Sequence, residues 1–170
     1  MKKTCLLIAV LFLTGCSSHA ASSSPSASTK TGGMLGLANP WCEGSTLQEA
    51  AAGSGVSFTI ADPFPFAYDN VIYRWMTGTI EVRYSSSDQE INLRKSTSSD
   101  LDSISGDYNV YEETTTVTVN EDNVTLAGNQ KKWNKAEWKN SVGVYSITVN
   151  PGTDNGLSLE QMESLIKAVK

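Results

Sequence analysis

The chain has 170 residues, 39% of them hydrophobic, with 13 basic against 18 acidic side chains and a formal net charge of −5. An acidic balance offers no electrostatic footprint for nucleic acid, so none is expected as a partner. Three cysteines are too few for a disulfide-dense scaffold, so the fold must stand on its hydrophobic core.

From the N-terminus, Lys2 and Lys3 form a positive n-region and Cys5 to Leu13 a short apolar run, the pattern of a secretory signal. A membrane span needs about 20 apolar residues, which this run does not reach. Leu13-Thr14-Gly15-Cys16 then resembles the bacterial lipobox. The resemblance implies cleavage before Cys16, residues 1–15 being the lipoprotein signal peptide, and attachment of a diacylglycerol to the Cys16 thiol. Each buried CH₂ of the acyl chains contributes about 0.8 kcal/mol to membrane attachment. The mature protein is thus expected to be extracytoplasmic and to touch the membrane through this N-terminal lipid. Ser17 lacks the aspartate that retains lipoproteins at an inner membrane. The address implied is therefore the outer membrane of a Gram-negative cell, or the outer face of a Gram-positive plasma membrane.

Residues 16–37 comprise the lipidated cysteine and a Ser/Ala-rich stretch, "SSHAASSSPSASTKTGGMLGL", whose composition cannot bury enough apolar surface to order it. It reads as a tether with a reach of roughly 25 Å. The chain's one histidine, His19, lies there. Residues 38–170 form a single globular domain of 133 residues, with Cys42 as its lone thiol. Trp41 beside it and the lack of a histidine partner make Cys42 a buried or incidental thiol.

Within the domain, Thr46 stands three residues before Glu49, a capping box that predicts a helix from about Leu47 to Ala52, ended by Gly53 and Gly55. Apolar residues then alternate with polar ones at Val56, Phe58 and Ile60, at Ile80, Val82 and Tyr84, and at Ile91 and Leu93, predicting half-buried strands. Val117 and Val119, then Val124 and Leu126, flank Asn120–Asn123 as a hairpin, and Tyr145, Ile147 and Val149 close the pattern. Ser158 and Gln161 repeat the capping box before Leu159, Met162, Leu165, Ile166 and Val169, an apolar stripe at helical spacing. The fold class expected is α+β: an antiparallel meander of about seven or eight strands, with a short N-terminal helix and an amphipathic C-terminal helix on one face.

The segments "NPWCEGSTLQEAA", "YSITVNPG" and "LSLEQMESLIKAV" resemble an uncharacterised extracytoplasmic domain of bacterial lipoproteins, found also at the C-termini of anti-sigma-like membrane proteins. The resemblance covers about residues 39–169. It implies an extracytoplasmic α+β domain and carries no catalytic residues across.

The absence of histidine from the domain removes Ser-His and Cys-His nucleophiles and most zinc sites. Asp100, Asp102 and Asp107 fail the calcium-loop spacing, because Ile104, Gly106 and Tyr111 occupy the fifth, seventh and twelfth positions. Glu112 and Glu113 point to opposite sides of a strand and cannot act as a pair. No metal, no cofactor and no enzymatic activity are expected. The candidate binding surface is "KKWNKAEWK": as a strand it places Lys131, Trp133, Lys135 and Lys139 on one face, where an indole among ammonium groups can hold a polymer or a partner. In "DPFPFAYDN", Phe64, Phe66 and Tyr68 form a candidate pocket lip, or a plug at the end of the sheet. These features suggest a binding or interaction module for an envelope protein or polymer. The alternatives are a carboxylate-based cell-wall hydrolase and a sensory or regulatory envelope domain.

Overall fold

The structure, a computed structural model, describes residues 39–150 and 156–170, which belong to one unit, Ala38–Lys170. The signal peptide, Cys16 and the tether lie outside the described residues.

Eight antiparallel strands make one sheet: β1 (Cys42–Gly44), β2 (Asn70–Met76), β3 (Thr79–Ser85), β4 (Glu90–Ser96), β5 (Glu113–Val119), β6 (Asp122–Asn129), β7 (Lys132–Asn140) and β8 (Gly143–Asn150). With two helices added, the described domain is mainly β. The sheet order, β1-β2-β3-β4-β8-β7-β6-β5, is two four-stranded meanders joined edge to edge, where the sequence predicts a single one. The turns explain the difference. Asn120 and Glu121 (φ 51° and 72°) and Gln130 and Lys131 (φ 51° and 59°) form tight two-residue connections in the left-handed region that hairpins favour. No such turn follows Ser96. Residues 97–112 instead run as a strap from β4, in the middle of the sheet, to β5 at its far edge.

Cross-strand register sorts the side chains into two faces. One row reads Val82, Leu93, Ile147, Ala136 and Leu126 across β3, β4, β8, β7 and β6, every member fully buried. These residues share a core with Ala50, Met162, Leu165 and Ile166 of the two helices. Burying each large side chain contributes about 1.5–3 kcal/mol.

Helix α1 (Leu47–Ser54) starts where the capping box puts it, with Thr46 accepting from the Glu49 amide while the Glu49 carboxylate takes the Ser45 amide at 2.9 Å. It runs past Ala52, through Gly53, to a left-handed stop at Gly55 (φ 73°). Gly53 is tolerated in the helix because Trp75 packs on it: a Cβ there would lie 2.2 Å from the indole nitrogen. Helix α2 (Leu159–Ala168) carries the complete Ser158/Gln161 box. Its stripe differs from expectation at Leu159, which is exposed, whereas Val169 is buried in the core as expected although it serves as the C-cap.

Val56 and Phe58 are buried as their alternation requires, yet residues 56–60 are no strand of the sheet. They pair with the last residues of the chain, Thr59 and Lys170 exchanging two backbone hydrogen bonds of 2.9 Å. Strand β2 was not signalled by alternation, because "NVIYRWM" is apolar on both sides. Phe64 stacks on Tyr84 with centroids 3.8 Å apart, and Tyr68 meets Tyr84 edge-on at 4.8 Å. Phe64 and Phe66 are partly buried against the core, while Tyr68 is exposed. Burial, then the neighbouring phenols of Tyr73 and Tyr68, pushes the Tyr84 hydroxyl well above its ordinary value.

Candidate functional site

On the second face, alternation places Glu81 of β3 among arginines from three strands. Read from sequence, this row is a solvated polar face. In the structure Glu81 is 0% exposed. Its carboxylate accepts from Arg74 of β2, by Nε at 2.8 Å and by Nη2, and from Nε of Arg94 of β4, with Nη2 of Arg83 at 3.5 Å. Trp41 lies over two of these cations, 5.2 Å from the Arg74 guanidinium and 5.4 Å from that of Arg94. A buried carboxylate costs several kcal/mol in lost hydration, and here charge-assisted hydrogen bonds to both oxygens, from Arg74 on Oε1 and Arg94 on Oε2, offset the cost.

The strap closes over this network. Arg94 Nη1 donates to the carbonyls of Ile104 at 2.8 Å and Ser105 at 2.7 Å. Gly106, at φ 62°, passes so close that a Cβ would lie 2.5 Å from that nitrogen. Ser103 donates to Glu137, and Lys139 to the Ser99 carbonyl. The strap is also clasped to itself: Asp107 accepts from Asn109, by backbone at 3.0 Å and side chain at 2.7 Å, and from the Tyr111 hydroxyl at 2.6 Å. Burial first, and that hydrogen bond second, raise the Tyr111 hydroxyl well above the ordinary tyrosine value.

Between strap and sheet is a groove of about 380 Å³. Arg83, Asn92, Thr148 and Asn150 form its floor; Asp107, Tyr108 and Asn109 form its wall. The floor is pre-ordered, with Arg83 Nε on the Asn92 carbonyl oxygen at 2.9 Å and the Asn92 amide 3.1 Å from Glu90 and 3.4 Å from Thr148. Tyr108, on the wall, is 94% exposed. Donors and acceptors thus alternate along the groove beside one free aromatic ring.

The predicted surface is not continuous. Trp133 is 8% exposed and belongs to the core. The register shifts between Ala127 and Gly128, so that Ala127 pairs with Lys135 and Gly128 with Trp133, leaving Asn134 as an extra residue on β7. This bulge breaks the alternation that would have put Trp133 beside Lys135 outside. Lys131 sits in a turn, Lys135 pairs with Glu137 at 3.4 Å, and Lys139 is tied to the strap. Cys42 is exposed rather than buried. Asp100 accepts from Ser98, and Glu113 from the Lys131 amide at 3.1 Å. No group of three His, Cys, Asp or Glu side chains suited to a metal occurs among the described residues.

One Ser-x-x-Lys spacing is present among the described residues, at Ser164 and Lys167 on α2. Ser164 is exposed and Lys167 pairs with Glu163 at 3.4 Å on the surface, so neither is the buried, activated dyad that such catalysis needs. In the groove, Glu90 and Asp107 are both held as hydrogen-bond acceptors.

The Asp107–Tyr111 clasp has a pH signature. A tyrosine whose folded-state pKa lies above its unfolded value of about 10 adds stability that is complete below pH 10 and lost as pH climbs through the folded value. Tyr111→Phe is therefore expected to cost about 1 kcal/mol at pH 7 and to flatten the fall of urea-unfolding stability above pH 10. An equally steep alkaline limb in the variant would contradict the clasp. Comparison with protein-family models, with curated proteins and with solved structures gives no match for this chain.

Proposed function

We propose that the chain is a lipid-anchored extracytoplasmic binding module, an α+β domain with both helices on the core face of its sheet, and that the groove under the strap takes a hydroxyl-rich glycan of the cell envelope. The observation that carries this reading is the pairing of a fully exposed tyrosine with a floor of amides, hydroxyl and guanidinium. Sugars offer alternating donors and acceptors at their rims and C–H faces that pack on aromatic rings, so such a groove complements them. Asn150 supports it further, since its side chain has no hydrogen-bond partner among the described residues. Binding is favoured over hydrolysis because the two groove carboxylates already serve as structural acceptors. The anchor rests on the order and spacing of Lys2-Lys3, the apolar run and Leu13-Thr14-Gly15-Cys16, and it keeps a surface-bound domain within reach of wall polymer.

Two experiments test the reading. In cells fed labelled fatty acid, the native chain should take up label and a Cys16→Ser form should not; acylation of the serine form would refute the anchor. In co-sedimentation with purified cell-wall sacculi, competed by soluble N-acetylglucosamine oligomers, Tyr108→Ala combined with Asn150→Ala should weaken binding about tenfold, or 1.4 kcal/mol, at unchanged melting temperature. Undiminished sedimentation of the double variant would remove the groove from consideration.

A further inference from the structure

The inner face carries one residue that breaks its own pattern. The alternation that turns Ile91 and Leu93 inward turns Lys95 inward as well, where its strand neighbours are Ile80 and Tyr145. Lys95 is 3% exposed. Its ammonium donates to the Ser57 carbonyl at 2.7 Å and stands 5.0 Å from the centre of the Tyr145 ring, which in turn stacks flat on Trp138 at 4.9 Å. Among the described residues it forms no ion pair. An ammonium has three donors, and a carbonyl and a ring face leave the third without an acceptor.

Lys95 lies in the wall of a cleft of about 660 Å³, the size of an ordinary small-molecule site, between the 56–60 segment, the end of α2 and the β5–β6 turn. Lys167 and Lys170 stand at its margin. The one side-chain carboxylate lining it, Asp122, is held by the Asn140 amide at 3.0 Å. A buried cation without a counter-ion is costly, and nature retains such groups where a ligand supplies the opposite charge. We infer that this cleft is an oxyanion-binding site, in which Lys95 meets a carboxylate or phosphate group, Lys167 and Lys170 draw the anion in, and the Trp138 and Tyr145 rings meet the body of the ligand. The site is on the opposite side of the sheet from the glycan groove and does not depend on it.

The test is NMR titration of the ¹⁵N-labelled full chain with inorganic phosphate and, separately, with acetate, each against chloride at matched ionic strength. Saturable shifts at the Ser57 and Thr59 amides and the Trp138 indole are expected, and the arm in which they occur names the ligand class. Lys95→Met should weaken binding at least tenfold. Should that variant fail to fold, Lys167→Ala with Lys170→Ala, both exposed, should weaken binding severalfold at an unchanged melting temperature. Shifts that match chloride, or affinities unmoved by the variants, would overturn the site.

Discussion

The Glu81 carboxylate is the constraint from which the second face of the sheet is built. It is wholly buried, and Arg74 and Arg94 reach it from the strands on either side and Arg83 from along its own strand. Removing Arg74 or Arg94 takes one of two close partners from a carboxylate with no access to water. The network therefore fixes the register of β2, β3 and β4 from the outer face just as Val82, Leu93 and Ile147 fix it from the core.

Two of the arginines then reach further. Arg94 turns its second nitrogen to the strap carbonyls of Ile104 and Ser105, and Arg83 orients Asn92 in the groove floor. Fold and groove are thus one hydrogen-bonded system, and the strap that Arg94 holds is the same segment that presents Tyr108. The sheet divides the labour. Its outer face carries a neutral, hydroxyl-compatible groove, while its inner face ends in the cationic cleft at Lys95.

What the sequence made legible was local. Both helix starts, the hairpin at Asn120–Glu121 and the buried strands Ile80–Tyr84 and Tyr145–Val149 follow from spacing alone, and the structure has them there, although at α1 the Glu49 carboxylate takes the Ser45 amide and leaves the Thr46/Glu49 box unclosed. What it hid was non-local. Nothing in Ile80-Glu81-Val82-Arg83 distinguishes a buried carboxylate from a solvated one, because its partners Arg74 and Arg94 come from neighbouring strands and Trp41 lies over them from outside the strand. Trp133 was misplaced because a one-residue bulge opposite Gly128 reverses every face assignment before it. The one signal that was available and passed over is Lys95, a lysine at a position where the period of two demands an apolar side chain.

Amide hydrogen exchange on the full chain carrying Glu81→Gln tests most directly whether Glu81 organises the strap. If Glu81 holds Arg94 in place for the strap, amides of residues 103–109 lose protection by an order of magnitude or more while the β6–β8 core amides remain protected. A strap as protected as in the native chain would show that it stands without the Glu81 network, and would contradict the proposed dependence of the groove on that buried charge.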